Sequence, residues 1–77
     1  MPEVVLVTGA GGQVGRFVVE HLINMGYKVV AFDVKFPEEL SRLRGPSLEL
    51  VVGDITDFED LANAVKRFNV RRIIHLA

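Results

Sequence analysis

The sequence predicts an α/β fold: a parallel sheet of four strands in the order 3-2-1-4 with three helices, one half of a doubly wound Rossmann sheet. Three observations carry this. Short apolar, β-branched runs alternate with stretches whose apolar residues recur every three or four positions. Glycine, proline or aspartate marks most junctions between them. The first junction, VTGAGGQVG (Val7–Gly15), packs four glycines into nine positions. At 77 residues the chain is one small domain, residues 1–77.

The elements follow in order. Val4-Val5-Leu6-Val7 is a continuous apolar run bounded by glycines, as suits a strand buried on both faces. From Gln13 the period changes, and Val14, Phe17, Val18, Leu22 and Met25 mark one face of a helix. Gly26 stands where a C-terminal cap belongs. Lys28 to Phe32 forms a second strand, closed by Asp33. Phe36-Pro37 opens a short helix with Pro37 at its first position and Leu40 and Leu43 inward, and Gly45-Pro46 stops it. Leu48 to Val52 is strand three. Asp57 caps a third helix with an apolar stripe of Phe58, Leu61, Ala62, Val65 and Phe68. Arg71 to Leu76 is strand four. Strict alternation implies right-handed crossovers, with the first two helices on one face and the third on the other.

Composition narrows the function. The chain is 49% apolar and 25% charged, as a folded domain should be. A net charge of −1 gives no electrostatic reason to expect nucleic acid or an anionic membrane as partner. Without cysteine there are no disulfides or thiolate metal sites. No apolar run approaches the roughly 18 residues of a membrane span. Met1-Pro2-Glu3 does not begin a signal peptide, so a cytoplasmic protein is expected.

The glycine-rich turn lies where a helix begins. There the first backbone N–H groups lack intrahelical partners and the helix dipole is positive, so a phosphate can be held by backbone alone if no side chain covers it. Gly9 allows the tight turn, Gly12 the approach of a diphosphate and Gly15 close packing of the helix. Gly9, Gly11, Gly12, Gln13 and Val14 are the candidate diphosphate residues. The G-x-G-x-x-G spacing is not met, because residue 14 is valine; the glycines that recur are 9, 12 and 15. No Gly-Lys-Ser/Thr follows, which excludes a Walker A loop. The plain alternative is an ordinary strand-to-helix turn.

Two carboxylates extend the pattern. Asp33 ends strand two, 18 residues after Gly15, where a carboxylate can accept hydrogen bonds from an adenosine ribose. The same charge repels a 2′-phosphate, favouring NAD over NADP, although Lys35 nearby offsets it. Asp54 ends strand three, where its carboxylate and the Ile55 N–H can meet an adenine edge. Each aspartate also reads as an ordinary turn residue.

Thr8-Gly9-Ala10-Gly11-Gly12-Gln13-Val14-Gly15 resembles the T-G-x-x-G-x-x-G motif of the extended short-chain dehydrogenase/reductases, the NAD-dependent nucleotide-sugar epimerases, dehydratases and related reductases. Asp33, Asp54-Ile55 and His75-Leu76-Ala77 fall where that family carries its ribose aspartate, its adenine-contacting pair and its strand-four end. The resemblance spans the chain. It implies an NAD(H) site across the carboxyl ends of the strands, with Leu76 and Ala77 among its walls. It also implies a Tyr-x-x-x-Lys pair for the proton chemistry. The single tyrosine is Tyr27, and residue 31 is alanine. The expectation is therefore a cofactor-binding first half of such an enzyme, inactive alone and without catalytic residues.

Other candidates are weaker. His21 reads as a helical surface residue, His75 as packing at a strand end and Arg16 as a solvated helix position. No histidine–carboxylate set has metal-ligand spacing, so no metal is expected. The mean hydropathy of +0.31 is high for a small domain. Strand four would be an open apolar edge, and one sheet face carries a single helix, so a homodimer burying both is expected. Two readings compete with cofactor binding: a bare α/β scaffold, which gives no saturable heat with NAD, and a non-catalytic redox sensor, which needs further chain to meet a partner.

Overall fold

A computed structural model describes residues 3–77. The order is β1 (Val4–Thr8), α1 (Gln13–Asn24), β2 (Lys28–Asp33), α2 (Glu38–Ser41), β3 (Leu48–Val52), α3 (Phe58–Arg67) and β4 (Arg72–His75). All strand pairs are parallel, and the sheet runs β3-β2-β1-β4. The predicted architecture is the observed one.

Alternation along the strands divides the core in two. Val5, Val7, Val29, Ala31 and Leu48 point to one face and meet Val19 of α1 and Leu40 of α2. Leu6, Val30 and Phe32 point to the other and meet Ala64 of α3. Because β1 and β2 are covered on both faces, Val5–Val7 and Val29–Phe32 are fully buried.

Local chemistry ends the helices as expected. Gly26 has φ +94°, its N–H bonds the carbonyl of Ile23, and the Tyr27 N–H bonds that of Leu22. This double closure is a Schellman motif, which needs a left-handed residue that glycine adopts without strain. At α3 the Asp57 carboxylate accepts from the amides of Glu59 and Asp60.

Several helix-face expectations are corrected. In α1 the inward face is Gly15, Val18, Val19, Leu22 and Ile23, while Val14, Phe17 and Met25 are 65, 71 and 58% exposed. The cause is Gly15: the helix docks there on Gly9 and Ala10, which sets its rotation, and about 100° per residue then carries residues 14 and 17 away from the sheet. Pro37 is the N-cap of α2 rather than its first residue; α2 ends at Ser41, and Leu43 is half-exposed. Phe58, just after the Asp57 cap, is 81% exposed, and the stripe is Leu61, Ala64, Val65 and Phe68.

Candidate functional site

The glycine turn brings the carboxyl ends of the strands and the start of α1 together. Gly9 leaves β1 with φ +71°, and its N–H bonds the Phe32 carbonyl at 3.0 Å. A Cβ there would sit 2.8 Å from the Ala77 nitrogen and 2.9 Å from the Leu76 carbonyl carbon. Bare backbone at Gly9 thus serves both the turn and the close passage of the chain leaving β4. Gly15 is bare for another reason, since a Cβ would strike the Gly9 carbonyl oxygen and lie 2.6 Å from Ala10 Cα.

The loop amides divide into two groups. Gly9, Gly11 and Gly12 already donate, to the Phe32 carbonyl, to Oδ2 of Asp33 (2.8 Å) and to the Gly9 carbonyl (3.3 Å). Gln13, Val14 and Gly15, the first turn of α1, have no acceptor among the described residues. The N-cap is Gly12, which supplies no capping side chain, and the first turn holds no acid. A Cβ on Gly12 would have only the Gly9 carbonyl oxygen near it, at 3.7 Å. All three lie at the positive end of a 12-residue helix; Gly15 is buried against the turn, while Gln13 and Val14 are exposed and form a donor pair open to approach. The sequence had assigned the diphosphate also to Gly9, Gly11 and Gly12; here their N–H groups are engaged within the protein.

Beside this helix end lies a small open cleft of about 50 Å³, lined by Gly9, Phe32, Asp33, Val34, Gly53, Asp54, Ile55 and Ala77. Asp33, Asp54, Ile55 and Ala77 of the predicted set thus meet in one hollow, with Leu76 alongside. Asp33 is fixed by its own backbone bonds, Oδ1 accepting the Val34 N–H at 2.7 Å. Asp54 accepts the Thr56 N–H at 2.9 Å and its hydroxyl at 2.7 Å. The Thr56 hydroxyl, then its amide, hold the Asp54 carboxyl below its ordinary range. Ile55 is half-buried against the α3 cluster. Glycine at 53 is required because a Cβ would press on the Phe32 ring at 2.7 Å.

Two relationships escaped the sequence reading. Thr8, 1% exposed, bonds His75 Nδ1 across the β1–β4 boundary. Strand register held that signal: the order β1-β4 sets Thr8 opposite His75, the last residue of each strand. The Asp33–Gly11 bond has no such local signature. Arg16, read as solvated, reaches Glu20 at 3.7 Å and Glu39 of α2 at 3.6 Å, and is half-exposed. Among the described residues no three histidines or carboxylates cluster as metal ligands, and no helix is long and apolar enough to cross a membrane.

Comparison with known proteins gives the site a context. The chain is 44% identical over 73 residues to a 3-beta-hydroxysteroid dehydrogenase of Mycolicibacterium neoaurum, covering 95% of this chain and 19% of that one. It is 39% identical over 75 residues to the dTDP-6-deoxy-L-talose 4-dehydrogenase (NAD(+)) of Aggregatibacter actinomycetemcomitans, covering 95% of this chain and 26% of that one. In three dimensions it matches the dTDP-glucose 4,6-dehydratase of Bacillus anthracis in complex with NAD, with a TM-score of 0.86 and 27% identity over 97% of this chain and 26% of that one. The 77 residues thus span about a quarter or less of these relatives. The model of the NAD dependent epimerase/dehydratase family matches residues 5–77, and the chain belongs to that family.

Proposed function

We propose that this chain binds NAD(H), with the diphosphate on the open amides of Gln13 and Val14 at the start of α1. The observation that carries the reading is that donor pair, unclaimed among the described residues and beside the bare Gly12. Asp33 accepts the adenosine ribose hydroxyls and Asp54 with Ile55 flanks the adenine. Gly9, Leu76 and Ala77 form the wall on the β4 side. The Asp33 carboxylate repels a 2′-phosphate, so NAD is preferred to NADP. NAD supplies a hydride acceptor at its nicotinamide. These residues bind and orient; no Tyr-x-x-x-Lys pair is present among them, so we propose no hydride transfer by the 77 residues alone. For the whole protein we infer a nucleotide-sugar substrate, a reading supported by the dTDP-sugar relatives.

Calorimetric titration with NAD, read in parallel by amide chemical shifts, tests this. A saturable heat with shifts at Gln13–Gly15 and Asp33 is expected. Absence of both returns the chain to a bare scaffold.

We infer also that β4 is a self-association edge. Among the described residues its outer side has no strand neighbour, and Ile73 is half-exposed.

A further inference from the structure

The Asp33 carboxylate holds two backbone amides. One bond is local, to Val34. The other, from the Gly11 N–H to Oδ2 at 2.8 Å, joins the end of β2 to the glycine loop 22 residues earlier in the chain. The fit is close: a Cβ on Gly11 would strike the Lys35 carbonyl oxygen and lie 2.9 Å from Asp33 Oδ2. Gly11 is therefore bare because the β2 end passes against it.

The first half of the loop is held by backbone, with the amides of Gly9 and Ala10 on the Phe32 carbonyl and Ala10 fully buried; the second half, Gly11 and Gly12, has less to hold it. Gly9 to Gly12 carry no side chain beyond one methyl group. Their other bonds are backbone bonds, and that between Gly12 and Gly9 is long at 3.3 Å. Among the described residues Asp33 supplies the one side chain hydrogen-bonded to the loop. Gly15 docking fixes the rotation of α1, and Gly12 caps it, so the Gly11 bond bears on how the turn leads into the Gln13 and Val14 amides.

We propose that Asp33 is the strut of the glycine loop: a positioning residue that sets the diphosphate amides as well as a ribose acceptor. The proposal rests on the nucleotide reading above. It makes the two halves of recognition interdependent, because the carboxylate that meets the ribose is also the anchor of the turn that meets the diphosphate.

Inorganic pyrophosphate separates the two roles, since it has no ribose. A ribose-only aspartate is merely a nearby negative charge to that probe, and Asp33→Ala then leaves its affinity unchanged or tightens it. A strut predicts the opposite sign. Asp33→Ala weakens pyrophosphate binding about tenfold, read from shifts at Gln13–Gly15, and speeds hydrogen exchange at the Gly11 amide about tenfold. Asp33→Asn keeps an oxygen for the Gly11 N–H and rescues most of both losses. Unchanged or tighter pyrophosphate binding in Asp33→Ala overturns the strut, as does unchanged Gly11 exchange. If the wild-type chain responds to neither pyrophosphate nor NAD, the nucleotide reading falls. Gly11 exchange in the Ala and Asn variants then decides the strut by itself.

Discussion

The hydroxyl of Thr8 lies 2.7 Å from Nδ1 of His75, a bond across 67 positions of sequence. The same oxygen accepts the Leu76 N–H at 3.2 Å. The arrangement that leaves no buried proton without a partner has the hydroxyl donating to Nδ1, so neutral His75 carries its proton on Nε2. Thr8→Val keeps the shape and loses the hydroxyl. It should cost about 1 kcal/mol, and Thr8→Ser should restore most of that. Chemical denaturation measures both, and nitrogen shifts of the His75 ring report the tautomer.

The glycines should separate by role. Gly9→Ala puts a methyl at φ +71° against the Leu76–Ala77 backbone, and should destabilise by about 2 kcal/mol or more. Gly12→Ala puts its methyl in ordinary contact with the Gly9 carbonyl oxygen, 3.7 Å away, at a permitted backbone angle, φ −82°. Its stability should stay within about 1 kcal/mol of the parent, while the added methyl beside the helix N-terminus should weaken NAD binding. Thermal melts and NAD titration of both variants test the contrast. A Gly12→Ala chain with full affinity would remove the diphosphate from this helix end.

Strand order, helix count and the caps at Gly26 and Asp57 were legible because each rests on local chemistry or on alternation. Rotation of α1 was not. Two stripes compete on that helix, and the choice is made by Gly15 docking on Gly9 and Ala10, a close backbone contact that no large apolar side chain announces. Likewise Asp33 is visible in sequence as a carboxylate at a strand end. Its bond to Gly11 depends on how closely two chain segments approach, which spacing does not encode.

That rotation has a measurable consequence. Val19 is fully buried between α1 and the sheet, and Val19→Ala should cost about 2 kcal/mol. Phe17, larger but 71% exposed, should cost under about 0.5 kcal/mol as Phe17→Ala. The reverse order would restore the stripe read from sequence. Urea midpoints of the two variants decide.

Asp54 gives a pH signature. Its carboxyl titrates below the ordinary value of 3.8, chiefly because the Thr56 hydroxyl bonds the ionised form. A depressed folded-state value means the bonds contribute above the unfolded pKa and are lost as pH falls through the folded one. The Thr56 amide should therefore hold its shift at pH 5 and move only below about pH 3.8, and Thr56→Val should raise that midpoint. A Thr56 amide already titrating at the usual aspartate value would remove the bond.

The open edge of β4 makes the last prediction. The Leu76 N–H bonds Thr8 of β1, so alternation directs the amides of Ile73 and His75 outward. A two-fold partner adding antiparallel about Ile74 would set Ile73 opposite His75 and Arg72 opposite Leu76. Four backbone bonds then form and no like charges lie directly opposed. The flank of α1 turned away from Arg16 and Glu20 adds exposed Val14, Phe17 and Met25 to the apolar surface of the monomer. Sedimentation should show a dimer growing in at high micromolar concentration. Ile73→Lys, half-exposed in the monomer, should abolish it with little loss of fold, because a lysine on an edge strand blocks pairing. A monomer at every concentration in the parent chain would show that this edge takes no second copy.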